Sequence, residues 1–211
     1  GVRVNGESIL TFGDLSMLSF HATKIFNTFE GGALVTNDPK LKQRIDFLKN
    51  FGFADEVTVI APGFNGKLDE FRSALGLLQL KYIDREIALS KRISELYREK
   101  LQDVAGVRVL EDITGVRHNY SYFPILVDEQ QYGMSRDALY EKLKSCGFYT
   151  RRYFYPLVST FPSYRNLASA EVGKMPVAEA VAQQVLCLPI FPTLNDAEVA
   201  RLATVIAYHG T

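Results

Sequence analysis

The chain has 211 residues, and 24 lysines and arginines balance 24 aspartates and glutamates to a formal net charge of zero. That balance leaves no basic footprint for nucleic acid or an anionic membrane surface, and no apolar run reaches the roughly 20 residues of a membrane-spanning helix. The 47% apolar fraction suits a globular chain of one or two domains, and two cysteines, Cys146 and Cys187, are too few for a disulfide framework and point to a reducing, cytoplasmic setting.

Val2 to Leu10 alternates around Asn5-Gly6, a hairpin signal. Leu15 to Phe20 and Ala33 to Thr36 are β-prone runs. The stretch between them carries Asn27 and ends in Gly31-Gly32, so it reads as a loop or tight turn. Asp38-Pro39 opens a helix over 39–49, with Leu41, Ile45 and Leu48 at helical spacing. Residues 51–67, rich in Gly and Phe, are expected to form a loop. From Leu68 to about Val104 apolar residues recur at helical spacing, Phe71, Leu75 and Leu78 first, Ile93 and Leu101 later. This spacing predicts either one rod connecting two lobes or two helices with a bend near Asp84. Beyond Gly106 the pattern becomes α+β. Strands are expected over 107–110 and 120–127, and a helix from Ser135 to Cys146, stopped by Gly147. A strand-like aromatic run over 148–155 and helices over 179–185 and 196–207 follow. Cys187, between two leucines, reads as a core residue. The simplest division gives one domain over 1–84 and a small second domain over 85–211, reached through the long helix.

Lys24 is the residue most suggestive of chemistry. A single amine on a short loop between two strands, with Ser19 just upstream, suits a lysine that must stay in one place, as a Schiff-base lysine must. A hydrated loop lysine is the plainer alternative. Ser19 also reads as a strand-end hydroxyl bonded to backbone, and Asn65 as a turn residue in a Gly-rich loop. His21 is either a substrate-side group or a packed ring. Arg151, Arg152, Tyr153 and Phe154 place arginines beside aromatics, which suits a pyrophosphate and a stacked base, or an edge strand with solvated charges.

The wording of these segments is similar to one family in order along nearly the whole chain. Ser19-Phe20-His21-x-x-Lys24, then Glu30-Gly31-Gly32 and an apolar strand, resembles the cofactor-lysine segment of the DegT/DnrJ/EryC1/StrS nucleotide-sugar aminotransferases. Gly13-Asp14, Leu48 to Gly52, Gly63 to Leu68, Arg152 to Leu157 and Leu186 to Pro189 resemble further segments of that family. The resemblance implies an α/β, aspartate-aminotransferase-like (fold type I) protein, of which this chain is the C-terminal part: a partial large domain plus an α+β small domain. It implies pyridoxal 5'-phosphate as cofactor and Lys24 as covalent anchor and proton carrier. Ser19 would donate to the cofactor phosphate, and Asn65 would reach the partner subunit's cofactor phosphate across a homodimer. His21, Arg152, Tyr153 and Phe154 would face a nucleotide-sugar substrate, with glutamate as the usual amino donor.

The segment around Lys24 looks more like members that aminate C4 of a 4-keto-6-deoxy sugar than like those acting at C3. Dehydratase relatives carry histidine where this chain has Lys24. Phe29, Lys67 and Val158 depart from the family's glycine, arginine and histidine at the matching positions. A non-catalytic relative or a dimerisation fragment is the rival reading. Because the family's phosphate cradle, ring-stacking aromatic and pyridine-pairing aspartate fall outside these residues, the chain alone is expected not to transaminate.

Overall fold

The Asn5-Gly6 pair turns the chain as such dipeptides do, with φ of 49° and 87° at its two residues. In the computed structural model, which describes residues 1–208, it joins strands β1 (Arg3–Val4) and β2 (Glu7–Ser8) into an antiparallel hairpin. Next come β3 (Ser16–Ser19), β4 (Gly32–Val35), α1 (Pro39–Lys49), α2 (Glu70–Leu80) and α3 (Ile83–Leu101). The remainder comprises β5 (Val107–Val109), β6 (Val116–Arg117), β7 (Phe123–Val127), α4 (Glu129–Tyr132), α5 (Arg136–Ser145), α6 (Pro176–Gln184), β8 (Val185–Leu188) and α7 (Asp196–Ala207). The chain divides into two compact units. One is Gly1–Ile87 with Ile113–Asn119, and the other is Ala88–Asp112 with Tyr120 onward.

In the first unit β2, β1 and β6 form a three-stranded sheet, and β3 and β4 pair antiparallel from Ser16↔Val35 to Ser19↔Gly32. Helix α1 starts where its sequence signals it. Asp38 accepts a hydrogen bond from the Lys40 amide at 2.8 Å, and Pro39 takes a first-turn position where its missing N–H costs nothing. Asp69 caps α2 in the same way, accepting from the Arg72 amide at 2.9 Å. The helical stretch is two helices, not one rod, and the break falls at Lys81-Tyr82, ahead of Asp84. It needs neither Gly nor Pro. The Lys81 amide bonds to the Leu78 carbonyl and the Tyr82 amide to that of Gln79, a tightening to i→i+3 bonding that turns the chain out of α2.

The second unit is built on the antiparallel sheet β5-β7-β8. Ile93, Tyr97 and Leu101 of α3 are fully buried there, with Ile125 of β7, Leu143 of α5, Leu186 of β8 and Ile206 of α7. The second half of α3 is therefore a core helix of this unit rather than a bare connector. Its stripe at four-residue spacing faces the core, with the small Ser90 and Ser94 buried beside it. Two buried tyrosine hydroxyls find backbone partners. Tyr97 donates to the Pro189 carbonyl at 3.0 Å and Tyr132 to that of Ile206 at 2.7 Å, and burial pushes the Tyr132 phenol up to about 12. Helix α5 runs between its expected signals, with Ser135 accepting from the Ala138 amide and Gly147 at φ 85°.

Two expectations fail here. Residues 148–155 form no strand: Arg151 pairs with Cys187 for one residue only, and Pro156 has no N–H to extend a ladder. The helix expected over 179–185 starts earlier, at Pro176, and ends at Gln184. Val185–Leu188 instead forms β8, buried at every position. Cys187 lies in that strand, and burial raises its thiol to about 11. Among the described residues no helix is long and apolar enough to cross a membrane.

The units differ in how they bury apolar surface. Phe71, Leu77, Leu78 and Leu80 of α2 and Met17 and Leu34 of the β3–β4 hairpin are exposed, Phe71 at 92%. Truncation should separate the two. Leu143→Ala should cost about 2–5 kcal/mol and Phe71→Ala less than about 0.5 kcal/mol in urea unfolding followed by circular dichroism. Comparable costs would contradict the placement of the core.

Candidate active site

Lys24 lies on the connection between β3 and β4, and backbone bonds close the neck of that loop. The Phe20 amide donates to the Gly31 carbonyl at 2.9 Å, and the Thr28 amide to the Phe20 carbonyl at 3.0 Å. Around the lysine, its own amide donates to the His21 carbonyl at 2.9 Å, and Asn27 Nδ2 donates to the Lys24 carbonyl at 3.0 Å. Phe20 and Phe26 pack edge to face with ring centres 4.9 Å apart. Thr28 is fully buried and donates from Oγ1 to the Glu30 carbonyl at 2.7 Å. A Cβ on Gly76 of α2 would stand 3.2 Å from Thr28 Cγ2 and 3.7 Å from Phe26 Cζ, so the loop rests against the bare face of that helix. The half-buried lysine thus has a root fixed on both sides.

Two glycines make the turn possible. Gly31 has φ 136°, and a Cβ there would come within 2.9 Å of Leu68 Cδ1 and 3.0 Å of Thr28 Oγ1. A Cβ on Gly32 would lie 2.6 Å from the Leu18 carbonyl oxygen. Ser19, exposed at the end of β3, accepts from the His21 amide at 3.3 Å. It also lines a cavity of about 800 Å³ with Gly32, Lys49, Phe64 and Leu68; Lys24 and Asn65 do not line it. His21 is exposed and not a packed ring. Its Nδ1 accepts from the Thr23 amide at 3.2 Å, and its Nε2 stands 3.8 Å from Glu30 Oε1.

Asn65 belongs to the same unit. Its backbone bridges Asn50, and its exposed side chain makes no hydrogen bond among the described residues. Lys67 donates to Asn50 Oδ1 at 3.1 Å and sits 4.5 Å over the Phe51 ring. Arg152, Tyr153 and Phe154 lie in the second unit. Arg152 Nη1 donates to Asp137 Oδ1 at 2.9 Å, and its guanidinium lies 4.6 Å over the Tyr140 ring. Tyr153 meets Tyr122 edge to face at 5.6 Å and stacks on Phe154 at 4.8 Å. Ser19, His21 and Lys24 are thus gathered on one hairpin, with Asn65 in the same unit. Sequence reasoning missed Thr28, Arg136 and Asp137. Arg136-Asp137 looks like the ordinary first turn of a helix, and only burial sets it apart.

The donors on the hairpin fit pyridoxal 5'-phosphate. An amine can condense with its aldehyde, a neighbouring hydroxyl can donate to its phosphate, and Gly31-Gly32 leave the adjoining backbone without side chains. The family model of the DegT/DnrJ/EryC1/StrS aminotransferases matches residues 1–207. The chain is 49% identical over 207 residues to the dTDP-4-amino-4,6-dideoxy-D-glucose transaminase of Escherichia coli, covering 98% of this chain and 56% of that protein. Among solved structures, DesI in the presence of its TDP-sugar product superposes with a TM-score of 0.90 at 36% identity, over 98% of this chain and 52% of that one. The PLP form of a putative sugar aminotransferase from Streptococcus pneumoniae shares the fold at a TM-score of 0.88 and 21% identity, over 98% and 54%. The chain spans about half the length of the curated relatives it matches. Its architecture is a C-terminal portion of the fold type I aminotransferase, and the chain belongs to the DegT/DnrJ/EryC1/StrS aminotransferase family.

Proposed function

We propose that this chain is part of a pyridoxal 5'-phosphate-dependent aminotransferase acting on a nucleoside-diphosphate sugar. The amino group of glutamate would pass to C4 of a 4-keto-6-deoxyhexose, leaving 2-oxoglutarate and a 4-amino sugar. The observation that carries this reading is Lys24, held on a doubly closed loop in a chain 49% identical to a 4-amino-4,6-dideoxyglucose transaminase. When bound, the cofactor supplies the electron sink for charge left on carbon by proton loss. Lys24 Nζ is the group that would hold it covalently, and the same amine would carry the proton at the reacting carbon. The short hydroxyl of Ser19 would donate to a phosphate oxygen.

The same reading includes a homodimer in which Asn65 Nδ2 donates to the partner's cofactor phosphate. Two features support it: the unengaged Asn65 side chain, and the exposed apolar face of α2 with Phe71, Leu77 and Leu80. Arg152, Tyr153 and Phe154 would belong to the nucleotide-sugar side of the site. A cytoplasmic location is part of the proposal and accords with the unpaired Cys146 and Cys187.

Borohydride treatment of the protein loaded with pyridoxal 5'-phosphate should fix the label on Lys24. Lys24→Ala should abolish that label and lower turnover by at least about 10²–10⁴-fold. A labelled or fully active Lys24→Ala protein would end the assignment. Co-expressing Lys24→Ala with Asn65→Ala chains tests the shared site. Random pairing would give mixed dimers with one intact site each, restoring about a quarter of wild-type activity. Activity no higher than that of the two separate variants would argue that Asn65 serves its own subunit.

A further inference from the structure

We propose that Arg136 is a positioning residue for the segment 151–155, acting on Arg152 through Asp137 and on Tyr155 directly. The proposal rests on the reading of that segment as substrate-facing. Arg136 opens α5 and is 2% exposed. Its Nη1 donates to the Val185 carbonyl at 2.7 Å, which ties it to the start of β8, and its Nε donates to Asp137 Oδ1 at 2.8 Å. The same carboxylate oxygen accepts from Arg152 Nη1 at 2.9 Å. The Tyr155 ring lies 5.0 Å from the Arg136 guanidinium and 5.4 Å from that of Arg152. One carboxylate therefore joins two cations, and both face one aromatic ring.

This cluster pins one end of the segment, and β8 pins the other. The Arg151 amide donates to the Cys187 carbonyl at 3.0 Å, and the Cys187 amide donates back at 2.7 Å. Tyr153 and the exposed Phe154 lie between the two anchors. The latch also divides the arginine pair. Arg152 is committed to Asp137 and Tyr140. Arg151 is exposed, with its guanidinium 5.8 Å from the Tyr153 ring and no carboxylate partner among the described residues. Arg151, rather than Arg152, is then the cation this segment offers to a pyrophosphate.

A stabilising role does not account for Arg136. Its Nη2 is buried without a hydrogen-bond partner, and the one carboxylate it pairs with among the described residues is shared with Arg152. A buried guanidinium in that state gains little over an apolar side chain of similar volume. What it adds is a fixed geometry, since Val185 and Asp137 accept from two nitrogens of one rigid plane.

Arg136→Met separates the two roles. Expected are an unfolding temperature no lower than wild type and amide exchange at 152–155 faster by roughly tenfold, with the rest of the second unit unchanged. Thymidine diphosphate should bind about tenfold more weakly by calorimetry, since ordering of the segment is then left to the ligand. The KM for the nucleotide sugar should rise with little change in kcat. Arg136→Lys should not restore the segment, because one ammonium cannot reproduce the two-nitrogen geometry. Asp137→Asn, at a half-exposed carboxylate, reads the same latch if Arg136→Met does not fold, and should loosen the same amides. Unchanged exchange at 152–155, or loosening spread through the second unit with a lower unfolding temperature, overturns the proposal. A wild-type protein that binds no thymidine diphosphate instead overturns the substrate reading on which it rests, and does so without any variant.

Discussion

The site hangs on one close approach. Strand β4 begins within contact of the Leu18 carbonyl, at a distance only a residue without Cβ permits, and Gly32 is that residue. The pairing Ser19↔Gly32 sets where the hairpin stops and where the Lys24 loop begins. Gly31, at φ 136°, then turns the chain so that its carbonyl accepts from Phe20. Thr28 is carried inward to rest on Gly76. Each contact is modest, about 0.5–1.5 kcal/mol for a typical neutral hydrogen bond. They act together because all depend on the same backbone path. A lysine has four flexible side-chain bonds, and a fixed root is what the fold can contribute to placing its amine.

The two units contribute differently. The second has a continuous core of aliphatic and aromatic side chains, so its 151–155 segment rests on a rigid base at β8 and α5. The first holds the proposed chemistry but leaves much of its apolar surface open. Proximity of Ser19, His21 and Lys24 there comes from local hairpin geometry, not from a deep core. Under the proposed reading, burial of Phe71, Leu77 and Leu80 against a partner would add the packing this unit lacks.

What was legible in the sequence was local chemistry. Asn5-Gly6, Asp38-Pro39, Ser135 and Gly147 each satisfy or bend their own backbone, so each could be read without knowing the fold. The Lys24 loop was legible because two β-prone runs frame it. Long-range facts were not. Val185 to Leu188 has no polar alternation, so nothing marks where the helix ends and a strand buried on both faces begins, and Val185 looks like the end of the helix. The break at Lys81-Tyr82 leaves no Gly or Pro to mark it. Whether Tyr97 faced a core or a neighbouring lobe depended on a sheet made of residues far along the chain. Arg136 is the sharpest case: a charged residue in a helix's first turn is ordinarily solvated, and only β8 and the 151–155 segment closing over it make it buried.

The claim that backbone geometry at Gly32 holds the Lys24 loop is tested most directly by amide hydrogen exchange in Gly32→Ala. The two amides to follow are those of Phe20 and Thr28, whose bonds close the neck of the loop. An added methyl group would stand 2.6 Å from the Leu18 oxygen and force the strands apart. A strain of about 1–3 kcal/mol should speed exchange at both amides by about tenfold to a hundredfold, with the amides of β7 and β8 unaffected. Exchange at Phe20 and Thr28 as slow as in the unaltered chain would show that the loop is held by something other than this contact.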